Sequence, residues 1–160
     1  MFTKKFRAAA LMALVMAVPA LAQKGSDDLS PEDTAAIHDY VLTMARVKVY
    51  QAASQDYEKG QHDPAMEAES KKVEANDVSL MSKVKMVETS CPRMNAWIKA
   101  HGMTAREFVV LPMTLMTAGL AQVAINQGGK PPAWVNPANI AFVKAHKDEL
   151  DKLGALGGGR

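Results

Sequence analysis

The chain has 160 residues and a formal net charge of +2. Lys4, Lys5 and Arg7 supply three of its 19 basic residues, so without residues 1–22 it carries 16 basic against 17 acidic side chains, a balance of −1. That near-neutral balance argues against a nucleic-acid partner, and a single cysteine, Cys91, rules out an internal disulfide framework.

The first 22 residues read as a cleavable signal peptide. A basic start is followed by the apolar run from Ala8 to Val18, then by Pro19-Ala20-Leu21-Ala22. The run is short for a membrane anchor, and the small residues fit cleavage after Ala22. The expected destination is the periplasm or the exterior. Residues 23–153 then form one helical domain, and residues 154–160 a flexible tail.

Ser30-Pro31-Glu32-Asp33 marks a helix start, with a capping serine, proline at the first helical position and acids in the first turn. Ile37, Val41, Met44, Val47 and Tyr50 continue at helical spacing, so one helix is expected over residues 31–59, stopping at Gly60. Asp63-Pro64 opens a polar helix whose sizeable apolar residues are Met66 and Val73. It reads as a solvated element, with Glu67 and Lys71 paired one turn apart. Leu80, Val84, Val87 and Cys91 line one face of the next helix, which ends before Pro92. A further helix begins there, with Cys91 at its N-cap and Met94, Trp97, Ile98 and His101 facing inward, and closes at Gly102.

Residues 108–129 contain no charge at all. Thr104 and Glu107 form a capping box before this run, Met103 and Phe108 a hydrophobic staple, and Gly128-Gly129 with Pro131-Pro132 end it. Its apolar residues fall on all sides, which predicts a buried central helix. It is long enough to cross a bilayer. Pro112, Thr114, Thr117, Gly119 and Gln122 dilute it, and no basic cluster or aromatic belt flanks it, so no stable membrane span is expected. Pro112 removes a hydrogen bond to the Phe108 carbonyl and predicts a kink. Val135-Asn136-Pro137 starts a last helix containing Ile140, Phe142 and Val143, with Leu150 and Leu153 extending its stripe. No alternating strand pattern occurs. The prediction is an all-α single-domain bundle of five or six helices around a buried, Pro-kinked central helix.

Catalytic motifs are missing. No G-x-S-x-G elbow or zinc-binding His-Glu-x-x-His is present, no Cys-x-x-Cys-His haem attachment, and the glycines at 157–159 precede no helix. The acids at 27–28, 32–33 and 148–151 fall on expected solvent faces. The four histidines, His38, His62, His101 and His146, match no metal spacing. The eight methionines outside residues 1–22 are read mainly as core fillers. A thioether can still serve as a haem ligand. The alternative function is therefore a b-type haem held by one histidine and one methionine, with His101 and Met113 or Met116 as candidates. Cys91 is a candidate reactive thiol or intermolecular bridge if it caps a helix, where the dipole lowers a thiol pKa, or a buried apolar residue if it completes its stripe. A kink at Pro112 near Thr114, Thr117 and Gln122 suggests a cavity with polar points. Those four residues are the candidate ligand-binding set.

Asn139-Ile140-Ala141-Phe142-Val143 after the proline-containing cap, Leu42-Thr43, and Gly102 before the capping box resemble a group of small exported all-helical bacterial proteins. The resemblance implies an exported helical domain and transfers no functional residue. The expected function is a non-catalytic binding or interaction module for a small apolar ligand or a periplasmic protein partner, with no resident cofactor.

Overall fold

The computed structural model describes residues 29–60, 63–76 and 79–156; the leader and its expected cleavage point lie outside them. The described residues form eight helices and no strand: α1 (Pro31–Asp39), α2 (Met44–Lys59), α3 (Pro64–Ala75), α4 (Leu80–Ser90), α5 (Pro92–Ala100), α6 (Ala105–Asn126), α7 (Pro137–Ala145) and α8 (Lys147–Lys152). The all-α bundle expected from the sequence is what the chain forms. The helix count exceeds the expected five or six because the first and last predicted helices each divide in two.

The central element is α6, which packs against α1, α4, α5 and α7. Its capping box is complete: the Thr104 hydroxyl accepts from the Glu107 N–H at 3.1 Å, and the Glu107 carboxylate accepts from the Thr104 N–H at 2.9 Å. Met103 and Phe108 are both buried as the staple requires. The helix continues through Pro112 without interruption. Its N-terminal two-thirds is enclosed, with Phe108, Val110, Leu111 and Ala118 fully buried. The remainder departs from the all-round burial expected of it. Beyond Ala118 only Ala121 is buried, while Leu120 and Val123 are each 51% exposed. Periodicity reported apolar residues on every side, but neighbouring helices cover only one side of this end. Among the described residues α6 is the one helix long and apolar enough to cross a membrane, with a mean hydropathy of 1.9 over its most apolar window.

The predicted helix over residues 31–59 breaks at residues 40–43. Asn139, buried in α7, accounts for the break. Its side-chain carbonyl accepts from the Leu42 N–H at 2.9 Å, and its amide donates to the Tyr40 carbonyl at 2.7 Å. Asn136 donates to the His38 carbonyl at 2.7 Å. Backbone groups that helix continuation would use are satisfied by these side chains instead. Thr43 then caps α2, its hydroxyl accepting from the Arg46 N–H. The break turns Val41 out to 61% exposure and puts Leu42 into the core in its place.

The polar segment docks through α3, which buries Met66, Ser70 and Val73 and packs against α4 and α5. Cys91 occupies the N-cap position of α5 as expected, but its side chain makes no capping bond. The Glu69 carboxylate, reaching from α3, accepts from the Met94 N–H at 2.8 Å instead. Likewise Asp33, expected on a solvent face, is buried and accepts from the Met81 N–H at 3.0 Å, in the first turn of α4. Each carboxylate lies against the positive end of a helix from elsewhere in the chain.

Helices α5, α6 and α8 end alike. Gly102, Gly128 and Gly154 have φ of 74°, 80° and 67°. In each case the glycine N–H and the next N–H fold back onto carbonyls of the last turn, as in Gly128 to Ile125 and Gly129 to Ala124. The third of these turns packs Leu153, Ala155 and Leu156 against the core, the last two from the segment expected to be the tail.

Candidate functional site

A groove of about 410 Å³ opens where α6 meets the loop over residues 127–136 and α7. Its walls are Ile125 from α6, Pro131, Pro132 and Ala133 from the loop, and Ile140 and Ala141 from α7. The sequence builds this shape in steps. The Gly128 turn stops α6. Two prolines then hold the following chain extended, since each fixes φ and restricts its predecessor. Asn136 accepts from the Ala138 N–H at 2.9 Å and Pro137 takes the first helical position, which starts α7. Val135, Ile140 and Ala121 close beneath as a small second core, with Trp134 packed on it.

The lining is almost devoid of charge. Gln122 and Lys144 are its polar side chains. The Gln122 amide donates to Asn126 Oδ1 at 2.8 Å. Ile125, at the lip, is 39% exposed. Between Glu107 and Asp148 the sequence carries no acid at all; its cations there are Lys130, Lys144 and Lys147. The groove is thus an open apolar surface with one positive charge at its rim. Chemically it can shelter an apolar body and attract a negative group, and it presents no nucleophile or general base.

Of the four residues expected to bind ligand, only Gln122 lines this groove. Pro112 is half-buried within α6. The Thr114 hydroxyl donates to the Val110 carbonyl at 2.9 Å, and the Thr117 hydroxyl to the Thr114 carbonyl at 3.1 Å. Both hydroxyls are therefore spent on their own helix, next to the proline that removes a backbone donor. Ile125, Pro131, Pro132 and Lys144 were not singled out by the sequence. The Pro-Pro turn and the proline cap were legible there, but not which apolar residues the turn would leave uncovered.

Cys91 is fully buried and free, at the junction of α4 and α5. Burial, and secondarily the Glu69 carboxylate, push its thiol pKa above the ordinary value. An activated thiol requires the opposite shift. Its place is that of the apolar residue completing the Leu80, Val84 and Val87 stripe.

The histidines are dispersed. His101 directs Nδ1 at the Trp97 carbonyl, 2.9 Å away, and Nε2 at the Asp56 carboxylate, 3.1 Å away, while its ring packs on the Trp97 ring at 4.3 Å. Both ring nitrogens of the candidate haem ligand thus face protein acceptors. Met113 is buried and Met116 half-buried. His38 faces the Trp134 carbonyl through Nδ1 at 3.2 Å, and the His146 ring lies tilted against Phe142 with centroids 4.8 Å apart. His62 lies outside the described residues. Among the described residues no group of three or more His, Cys, Asp or Glu side chains could hold a metal ion.

One polar chain joins α2 to α3. Tyr57 on α2 lies near Ser70 on α3, whose hydroxyl donates to Glu74 Oε1 at 3.2 Å. Burial raises both the Tyr57 and the Glu74 pKa. These side chains read as a structural contact between α2 and α3.

Comparison with protein-family models, curated proteins and solved structures gives no match to this chain.

Proposed function

We propose that this chain is an exported, non-catalytic binding module that receives a small apolar ligand in the groove between α6 and α7. The observation that carries this reading is the groove itself, with Ile125 left uncovered at its lip. A volume of about 410 Å³ falls in the range of clefts that hold small molecules. Its lining offers apolar contact and almost no reactive chemistry. Leaving such surface in water costs free energy that a ligand would recover. Export rests on the basic, apolar and small-residue pattern of residues 1–22.

Trp134, packed beside the groove, supplies the readout. In a Trp97→Phe background it is the sole tryptophan. Titration with the neutral fluorophore N-phenyl-1-naphthylamine should quench Trp134 saturably, and Ile125→Asp should abolish the effect while leaving the circular dichroism unchanged. An unchanged Trp134 signal over the whole titration would overturn the reading. For export, mass spectrometry of the secreted or periplasmic fraction should find a chain beginning at Gln23.

A further inference from the structure

We propose that the ligand of this groove is a long-chain carboxylate, with its hydrocarbon chain along the Ile125–Pro132–Ile140 wall and its headgroup at the Lys144 ammonium. The inference rests on the groove being a ligand site and adds the chemistry of the ligand. Three observations carry it. The lining holds one charged side chain, Lys144, and no carboxylate. No carboxylate among the described residues pairs with Lys144, whereas Lys48 and Lys147 have Glu149 and Asp151. Finally, the 40 residues from Phe108 to Lys147, which supply the whole lining, contain no Asp or Glu.

An ion pair unscreened by nearby acids acts over the full Debye length, and an apolar wall on one side strengthens it further. A single ammonium is a compact point charge, and it matches the single negative charge of a carboxylate. Lys144 lies on α7 one turn beyond Ile140 and beside the exposed Ala141, so the cation stands next to the apolar wall. An apolar body alone would leave this charge unused, and a small anion alone would leave the wall uncovered. An amphiphile satisfies both.

The test compares dodecanoate with dodecanol, each below its aggregation limit, by Trp134 fluorescence and calorimetry on the full folded chain. Dodecanoate should bind more tightly than dodecanol, and Lys144→Gln should weaken dodecanoate about fivefold while leaving dodecanol unchanged. Raising the salt concentration should weaken dodecanoate alone. Equal affinity for the two ligands, or no effect of Lys144→Gln, would overturn the carboxylate assignment and leave the apolar groove standing. Binding of neither would overturn the groove as a ligand site. Cosedimentation with vesicles of anionic phospholipid, without binding of monomeric dodecanoate, would replace a bound amphiphile with a membrane surface and would also sink the proposal.

Discussion

The Leu42 N–H donates a 2.9 Å hydrogen bond to the side-chain carbonyl of Asn139, a residue 97 positions later in the chain. The other half of the same amide holds the Tyr40 carbonyl. One buried side chain thus satisfies both sides of the break between α1 and α2 and ties that break to α7. Asn139→Ala removes a donor and an acceptor at once and leaves two buried backbone groups without partners. The expected cost is roughly 2–4 kcal/mol, read from the midpoint of urea unfolding. A loss below about 0.5 kcal/mol, ordinary for a surface site, would contradict this account.

Cys91 should be inert in the native protein. Its burial and its raised pKa both disfavour the thiolate. Maleimide at neutral pH should leave the folded chain unmodified over hours and add one equivalent in concentrated guanidinium. Rapid labelling of the folded chain would restore a reactive thiol.

Two glycines should respond in opposite directions. Gly119 lies inside α6, and an added Cβ would meet the Leu156 side chain at 3.4 Å, ordinary van der Waals contact. Gly119→Ala should therefore stabilise by about 0.5–1 kcal/mol through helix propensity. Gly102 has φ of 74° and ends α5. Gly102→Ala should destabilise by about 1–2 kcal/mol, since other residues pay that to adopt a left-handed backbone. Thermal unfolding of both variants gives the two signs.

Glu74 gives a pH signature. Burial raises its pKa above 4.5, against the lowering effects of Ser70, Lys71 and Lys83. A carboxyl whose folded pKa exceeds its unfolded one favours folding while protonated. Its contribution is complete below the unfolded value and disappears as pH rises through the folded value. The stability of wild type relative to Glu74→Gln should accordingly fall between pH 4.5 and neutrality. Urea midpoints for the pair at several pH values test the slope. A rise over the same interval would show that the attraction of Lys71 and Lys83 outweighs burial.

The helix starts at Ser30, Asp63, Thr104 and Asn136 were legible because their capping bonds span two or three residues. The stops at Gly102 and Gly128 were legible for the same reason. The break at residues 40–43 was not, because the group responsible is Asn139, and nothing near Tyr40 announces it. Asp33 read as a solvent-facing acid, and the helix that carries Glu69 as a solvated element, for an equivalent reason. The N–H groups that Glu69 and Asp33 accept from are 25 and 48 positions away. The site was less legible than the fold. Thr114 and Thr117 stood out as polar points in an uncharged run, yet a helical threonine can bond its own backbone and leave nothing for a ligand. Ile125 looked like one more core residue, because periodicity records which residues are apolar and not which face a neighbour fails to reach.

The borrowed carboxylates also bear on how the chain assembles. With Asp33 bonded at the start of α4 and Glu69 at the start of α5, each of these helices relies on another for part of its terminal hydrogen bonding. A fragment covering α4 and α5 alone would have to form both first turns without either acid. Nucleating a helical turn is the costly step, so such a fragment should show little helix in isolation. α1 and α3 thus help secure their neighbours' ends, and truncation through residue 33 or excision of α3 should loosen elements well beyond the cut.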